Sequence, residues 1–186
     1  MPYKLITPPT LEPIDLDQAK MHLRVDGYAE DDYIESLIMA ARMQCESITQ
    51  RAIMPQTWEY SDDDFDEELP LAYPPLISVT SVKYLDAFGV DQTLNPALYV
   101  VDDYEEPACI ERAFQVTWPV VRDTPNSVKV RYTAGYANAA AVPAPIKQWI
   151  LLAIGDMYAV RERSADRPAV TQGFADGLLD AYRIYG

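Results

Sequence analysis

Few residue sets in this sequence could run a reaction. Its one histidine, His22, falls in a short helical pattern, and no Gly-x-Ser-x-Gly elbow accompanies it, so a nucleophile with its base is not in place. Neither a P-loop nor Gly-x-Gly-x-x-Gly occurs, and 7 glycines leave little material for a phosphate cradle. Cys45 and Cys109 lie far apart, outside any Cys-x-x-Cys pair, and read as reduced thiols. With one histidine they cannot complete a four-ligand zinc site. The densest stretch is Asp62-Asp63-Asp64-Phe65-Asp66-Glu67-Glu68. Taken as a calcium loop opening at Asp62, it puts Glu67 where the sharp turn needs glycine and Tyr73 where the bidentate glutamate belongs. Nothing singles out two of these carboxylates as a glycosidase pair. These residues offer no nucleophile with its base, no metal set and no cofactor cradle, and leave open only an unidentified pair of carboxylates.

Charge is more informative than chemistry. The chain has 186 residues, with 29 acids, 15 bases and a formal net charge of −14. That balance is wrong for wrapping a nucleic-acid backbone, which calls for a basic surface. Between Ala52 and Glu111 stand 14 acids and a single base, Lys83, a balance of −13, whereas the remaining residues come to −1. Either the acids keep a loop-rich module soluble, or one part of the fold is a working negative surface while the rest is free to pack against protein.

The elements that position these residues follow from pattern. Pro8, Pro9 and Pro13 imply an extended arm. Asp15 opens a short helix with Gln18 as its capping-box partner, Gly27 and Tyr28 end it, and Asp31 caps the next. In that second helix Ile34, Leu37, Ile38, Ala41, Cys45 and Ile48 form an apolar stripe at helical spacing. From Met54 the texture is β-like: strands are expected at 56–60, 77–84, 92–94, 99–101, 108–112, 114–117 and 127–133, with a hairpin turn at Asp86–Gly89. Pro145 then starts a helix bearing Ile146, Trp149, Ile150, Ala153, Ile154, Met157 and Tyr158, closed by Arg161 and Arg163. Residues 175–185 read as a short last helix. The 146–160 stretch is too short and too interrupted to span a membrane, and the proline-broken start carries no targeting segment.

The fold class is therefore α+β: a helical bundle of two N-terminal and two C-terminal helices with an inserted antiparallel β module. Its divisions are 1–53 (arm and two helices), 54–136 (acidic β module) and 137–186 (C-terminal helices and tail). Thirteen tyrosines and three tryptophans exceed the needs of a small core and favour protein interfaces.

Several segments together resemble the head–tail connector, or neck adaptor, proteins of tailed phages and prophages. The resemblance opens with Pro8-Pro9 and Leu16-Asp17-Gln18-Ala19-Lys20-Met21-His22-Leu23-Arg24-Val25, then takes in Asp31-Asp32-Tyr33-Ile34-Glu35-Ser36-Leu37-Ile38 and Ala40-Ala41-Arg42. It continues through Pro74-Pro75-Leu76-Ile77-Ser78-Val79, Val82-Lys83-Tyr84 and Val130-Arg131-Tyr132-Thr133-Ala134-Gly135-Tyr136. It ends in Val142-Pro143, Ile146-Lys147-Gln148, Tyr158 and Arg161-Glu162. Each motif is soft, but their order is specific. Residues 164–186 match no part of the pattern.

The resemblance implies a structural virion protein of the neck, not an enzyme and without catalytic residues, metal or cofactor, present in the host cytoplasm before assembly. It implies a homo-oligomeric ring of about twelve subunits closed by head-to-tail contacts. The ring would sit below the portal protein and join it to a tail or stopper protein, with packaged DNA passing through unrecognised by sequence and no membrane involved. On this reading the candidate channel-facing acids are Asp62, Asp63, Asp64, Asp66, Glu67 and Glu68, since a negative lining lets a polyanion slide. The candidate portal contact is the tail, with Arg167, Tyr182, Arg183 and Tyr185. The free chain could be monomeric, because like charge repels between neighbours. A tail-completion or stopper protein, an acidic DNA mimic that binds a basic protein, and a hydrolase using unidentified carboxylates stand as alternatives.

Overall fold

The structure, a computed structural model, describes residues 3–160, 175 and 177–185. The chain divides into two compact units, Met1–Thr10 with Pro55–Ala137, and Leu11–Met54 with Asn138–Gly186.

The first unit is all β. Its strands are β1 (Tyr3–Thr7), β2 (Gln56–Asp62), β3 (Glu68–Pro70), β4 (Leu76–Leu85), β5 (Asp91–Thr93), β6 (Tyr99–Asp102), β7 (Cys109–Arg112) and β8 (Val128–Ala134). They form an antiparallel five-stranded sheet in the order β1-β2-β8-β4-β5 and an antiparallel three-stranded sheet in the order β3-β7-β6. Central strand β8 shows why the larger sheet is two-faced. Val128, Val130, Tyr132 and Ala134 are buried while Lys129 and Arg131 are exposed, the period-two alternation of a half-covered strand. Register carries that division to its neighbours, with Tyr60 and Val82 both opposite Val130 on the inner face. The chain after β2 covers this inner face. Tyr132 Oη donates to the Ala72 carbonyl (2.9 Å), Tyr3 Oη to that of Pro70 (3.0 Å), and the Phe65 ring meets Tyr84 edge-on.

The second unit is helical: α1 (Leu16–Leu23), α2 (Asp31–Thr49) and α3 (Ala144–Ala159) pack on one another. Asp15 and Gln18 close the expected capping box at the start of α1. The α2 stripe is buried at Ile34, Leu37, Ile38, Ala41 and Cys45, against Ile146, Trp149, Ile150 and Ile154 of α3 in the same core. Arg42 is buried too, its guanidinium held between Glu12 (2.7 Å) and Glu46 (2.8 Å), and Glu46 also accepts from the Ile53 amide (3.0 Å). Arm, helix and following segment are thus tied at one point.

The α+β class stands, and five local expectations change. The opening arm is a strand: Tyr3–Thr7 pairs with β2, so residues 1–10 fall in the β unit. Helix α1 ends at Arg24 in the left-handed conformation (φ 58°), before Gly27 and Tyr28, because the Arg24 amide closes back on the Met21 carbonyl (3.4 Å) and the Val25 amide on that of Lys20 (3.1 Å). Lys20 and Asp31 then pair (2.6 Å) across the link between helices. Glu30 precedes α2 where Asp31 was expected to cap it, and Asp31 is already helical. Phe114–Thr117 is a turn: Gln115 takes φ 60° and the Val116 amide bonds back to Ala113, a bend that no strand tolerates. The two-plus-two helix count is not reproduced among the described residues, where three α-helices have defined bounds. In the tail, Ala175 and Gly177 are helical and a 3-10 turn runs over Asp180–Tyr182. Arg161 and Arg163 lie outside the described residues.

Candidate functional site: an acidic loop, two charged sheet faces and the tail

The six singled-out acids do not share one environment. Asp62 ends β2, where it accepts from Tyr60 Oη and from the Asp63 amide. Asp63 receives the Asn126 amide (2.8 Å), and Asp64 receives the Phe65 amide (2.7 Å). Asp66 and Glu67 are exposed, and the Asp66 carbonyl accepts the Trp118 indole N–H (3.0 Å). Phe65, the only apolar member of the run, is buried and stacked on Trp118, so one aromatic anchor holds a loop that exposes Asp63, Asp64, Asp66 and Glu67 and keeps Asp62 half-buried against Tyr60. Glu68 belongs elsewhere, on β3. Among the described residues no group of His, Cys, Asp or Glu could hold a metal ion.

On the three-stranded sheet Glu68 stands directly opposite Glu111. Asp102 is opposite Cys109 on the neighbouring strand. Burial, followed by the charges of Glu111, Glu68, Asp102 and Glu105, pushes the Cys109 thiol above its usual value. The outer side of this sheet therefore gathers negative charge at Glu68, Glu111 and Asp102, with Val100 and Pro70 between them, and like charges directly opposite each other cost stability.

The outer face of the five-stranded sheet is its counterpart. Lys83 of β4 is in register with Lys129 of β8, and Arg131 follows two residues along. Arg131 pairs with Glu59 (2.6 Å); neither lysine forms an ion pair among the described residues. A shallow groove of about 230 Å³ runs over these side chains beside Tyr84 and Leu85. Sequence reasoning missed this face, because Lys83 and Lys129 are far apart in the chain and only strand register brings them together.

His22 is exposed on α1 and makes no hydrogen bond or ion pair among the described residues; it borders an apolar groove with Met21, Ile14 and Leu151. Of the tail residues, Arg167 lies outside the described residues. Tyr182 and Arg183 are half-buried: the Tyr182 carbonyl accepts from Arg51 (2.6 Å), the Ile184 amide donates to Thr49 (3.0 Å), and Leu179 is fully buried. The end of the chain therefore docks on its own helices, leaving Tyr185 80% exposed. Among the described residues no helix is long and apolar enough to cross a membrane.

Residues 13–80 match the model of the phage gp6-like head-tail connector protein family. No curated protein matches the chain in sequence. Solved structures similar to it include chains from gene transfer agent (GTA) particles. A chain in the neck of the empty particle, computed with C6 symmetry, superposes with a TM-score of 0.82 at 22% identity, covering 100% of this chain and 97% of that one. A chain in the virion of the native particle gives 0.79 at 21%, with the same coverage. One in the native neck computed with C12 symmetry gives 0.70 at 20%, again over 100% and 97%. At such identity the likeness is one of fold, and it runs the full length of the chain. The resemblance read in the sequence holds: residues 13–80 carry the pattern of the phage gp6-like head-tail connector proteins, within a chain that folds throughout like a particle-neck protein.

Proposed function

We propose that this chain is a structural head–tail connector that repeats around an axis below the portal and frames the DNA exit of the virion neck. The carrying observation is the coincidence of a connector sequence pattern over 13–80 with full-length similarity of fold to chains from a particle neck. The empty catalytic inventory agrees with a protein that works by shape, and the reading is of a non-enzyme.

Within this frame the loop acids Asp62, Asp63, Asp64, Asp66 and Glu67 line the channel or its mouth. Duplex DNA carries about one negative charge per 1.7 Å of axis, so a negative wall held outward by Phe65 and Trp118 prevents adhesion during passage. The end of the tail, at Tyr185, contacts the portal, while Tyr182 and Arg183 hold the tail to its own helices. Free chains, each at −14, repel at low salt and stay monomeric until the portal templates them.

The test mixes the chain with its portal and images the product by negative stain. A ring seated on the portal is expected; no association would contradict the reading. Replacing Asp62, Asp63, Asp64 and Asp66 by Asn should slow DNA ejection and leave assembly intact, whereas unchanged ejection with failed assembly would remove the channel assignment. Tyr185→Ala, at the exposed end of the tail, should weaken portal binding without unfolding the chain. Sedimentation at low salt should show monomer, and a stable closed ring there without portal would refute the templating idea.

A further inference from the structure

Two cross-strand pairs in the β unit work against its own stability, and they are opposite in sign. Glu68 faces Glu111 on the outer side of the three-stranded sheet, and Lys83 faces Lys129 on the outer side of the larger one. Directly opposed like charges are unfavourable in an isolated sheet, and oppositely charged pairs at either place would have been stabilising. In a chain of net charge −14, unpaired Lys83 and Lys129 beside Arg131 are the more unexpected of the two. We propose that these faces are the two halves of one head-to-tail interface: the acidic face of one copy, Glu68 and Glu111 with Asp102, docks on the basic face, Lys83 and Lys129 with Arg131, of the next.

The occupant is a second copy of this chain, and charge complementarity argues for it. The two faces lie on different sheets of the same unit, so the partner that satisfies one copy's lysines carries lysines of its own for a further copy. Only such a heterologous contact propagates around a ring. Both faces also offer apolar area beside the charges, Val100 on the acidic side and Leu85 in the basic groove, which helps exclude water from the pairs. A duplex-DNA ligand is less favoured, because Glu59 and Asp91 share the basic groove and cut its net charge. Complementary charge fixes register and orientation, and it does so against an overall repulsion between subunits.

This inference rests on the ring reading, and a charge-swap series separates the two. The variants are Lys83→Glu/Lys129→Glu, Glu68→Lys/Glu111→Lys, and all four together, which restores the wild-type net charge of −14. Rings are scored in necks isolated from particles carrying each chain, with monomer folding checked by thermal melting. Each pair of reversals should reduce ring incorporation by about tenfold or more, and the combined swap should restore it. Cys109 labelling should fall in wild-type necks relative to the free chain. Wild-type rings with unaffected reversal variants would overturn the interface and leave the ring reading standing. Reversals that spare rings but weaken DNA retention would reassign the basic face to DNA, overturning the proposal. Necks lacking a ring of the wild-type chain would overturn both.

Discussion

The indole of Trp118 lies flat on the ring of Phe65, centroids 4.7 Å apart and planes 12° from parallel, with its N–H bonded to the Asp66 carbonyl. One contact therefore fixes the only apolar residue of the acidic run and the backbone beside it. Phe65→Ala should destabilise the β unit by about 3 kcal/mol through the cavity and the lost ring pair. Trp118→Phe keeps the stack and loses the hydrogen bond, for about 1 kcal/mol. Urea unfolding followed by tryptophan fluorescence distinguishes them; a larger cost for Trp118→Phe than for Phe65→Ala would mean that the hydrogen bond, not the stack, anchors the loop.

Arg42 is a second anchor, in the helical unit. Removing it takes the shared, buried guanidinium from Glu12 and Glu46, so Arg42→Ala should cost about 3 kcal/mol. Glu12→Gln leaves the Arg42–Glu46 pair and should cost about 1 kcal/mol. Thermal melting of the two variants checks the order.

The two cysteines should differ in reactivity. Burial, with Glu46 beside it, pushes the Cys45 thiol up to about 12, and Cys109 is raised by burial and its acidic neighbours. At pH 8 a maleimide should label the native chain slowly, at Cys109 alone, and reach Cys45 only after denaturation. Glu68→Gln/Glu111→Gln removes two of the charges that hold the Cys109 proton, so its thiolate fraction and labelling rate should rise. The folded state keeps the Cys45 proton longer than the unfolded chain does. Its contribution is complete below about pH 8.5 and declines as pH rises from there.

Acid acts at the β4–β5 turn. The Asp86 carboxylate accepts from the amides of Val90 (3.0 Å) and Phe88 (2.9 Å) and from the Gln92 side chain (2.9 Å). The Val90 bond first, then the Gln92 bond, holds it below the usual carboxylate range. That stabilisation is present above the unfolded value of about 3.9 and is lost as pH falls through the lower folded value. Asp86→Asn should therefore weaken the fall in melting temperature between pH 5 and 2; identical curves would contradict the assignment.

What the sequence revealed, and what it hid, divides by range. The α2 stripe and the Asp15–Gln18 box were readable because helical periodicity and capping act within a few residues. Strand β1 was hidden because its pairing, Tyr3 with Tyr60, is non-local. The turn at Gln115 looked like a strand because β-branched and aromatic residues surround a left-handed position that composition does not mark. The acids were visible as a count, but their division between the Phe65-anchored loop and the Glu68–Glu111 face depends on register. So does the basic face, which two lysines 46 positions apart create.

The central claim is that copies of this chain surround the DNA exit of a particle neck, and an averaged density map of isolated necks tests it most directly. The account predicts a closed ring of this chain beneath the portal, with the 62–67 loops turned toward the passage. A neck from which the chain is missing, or in which a single copy sits off the axis, would contradict it.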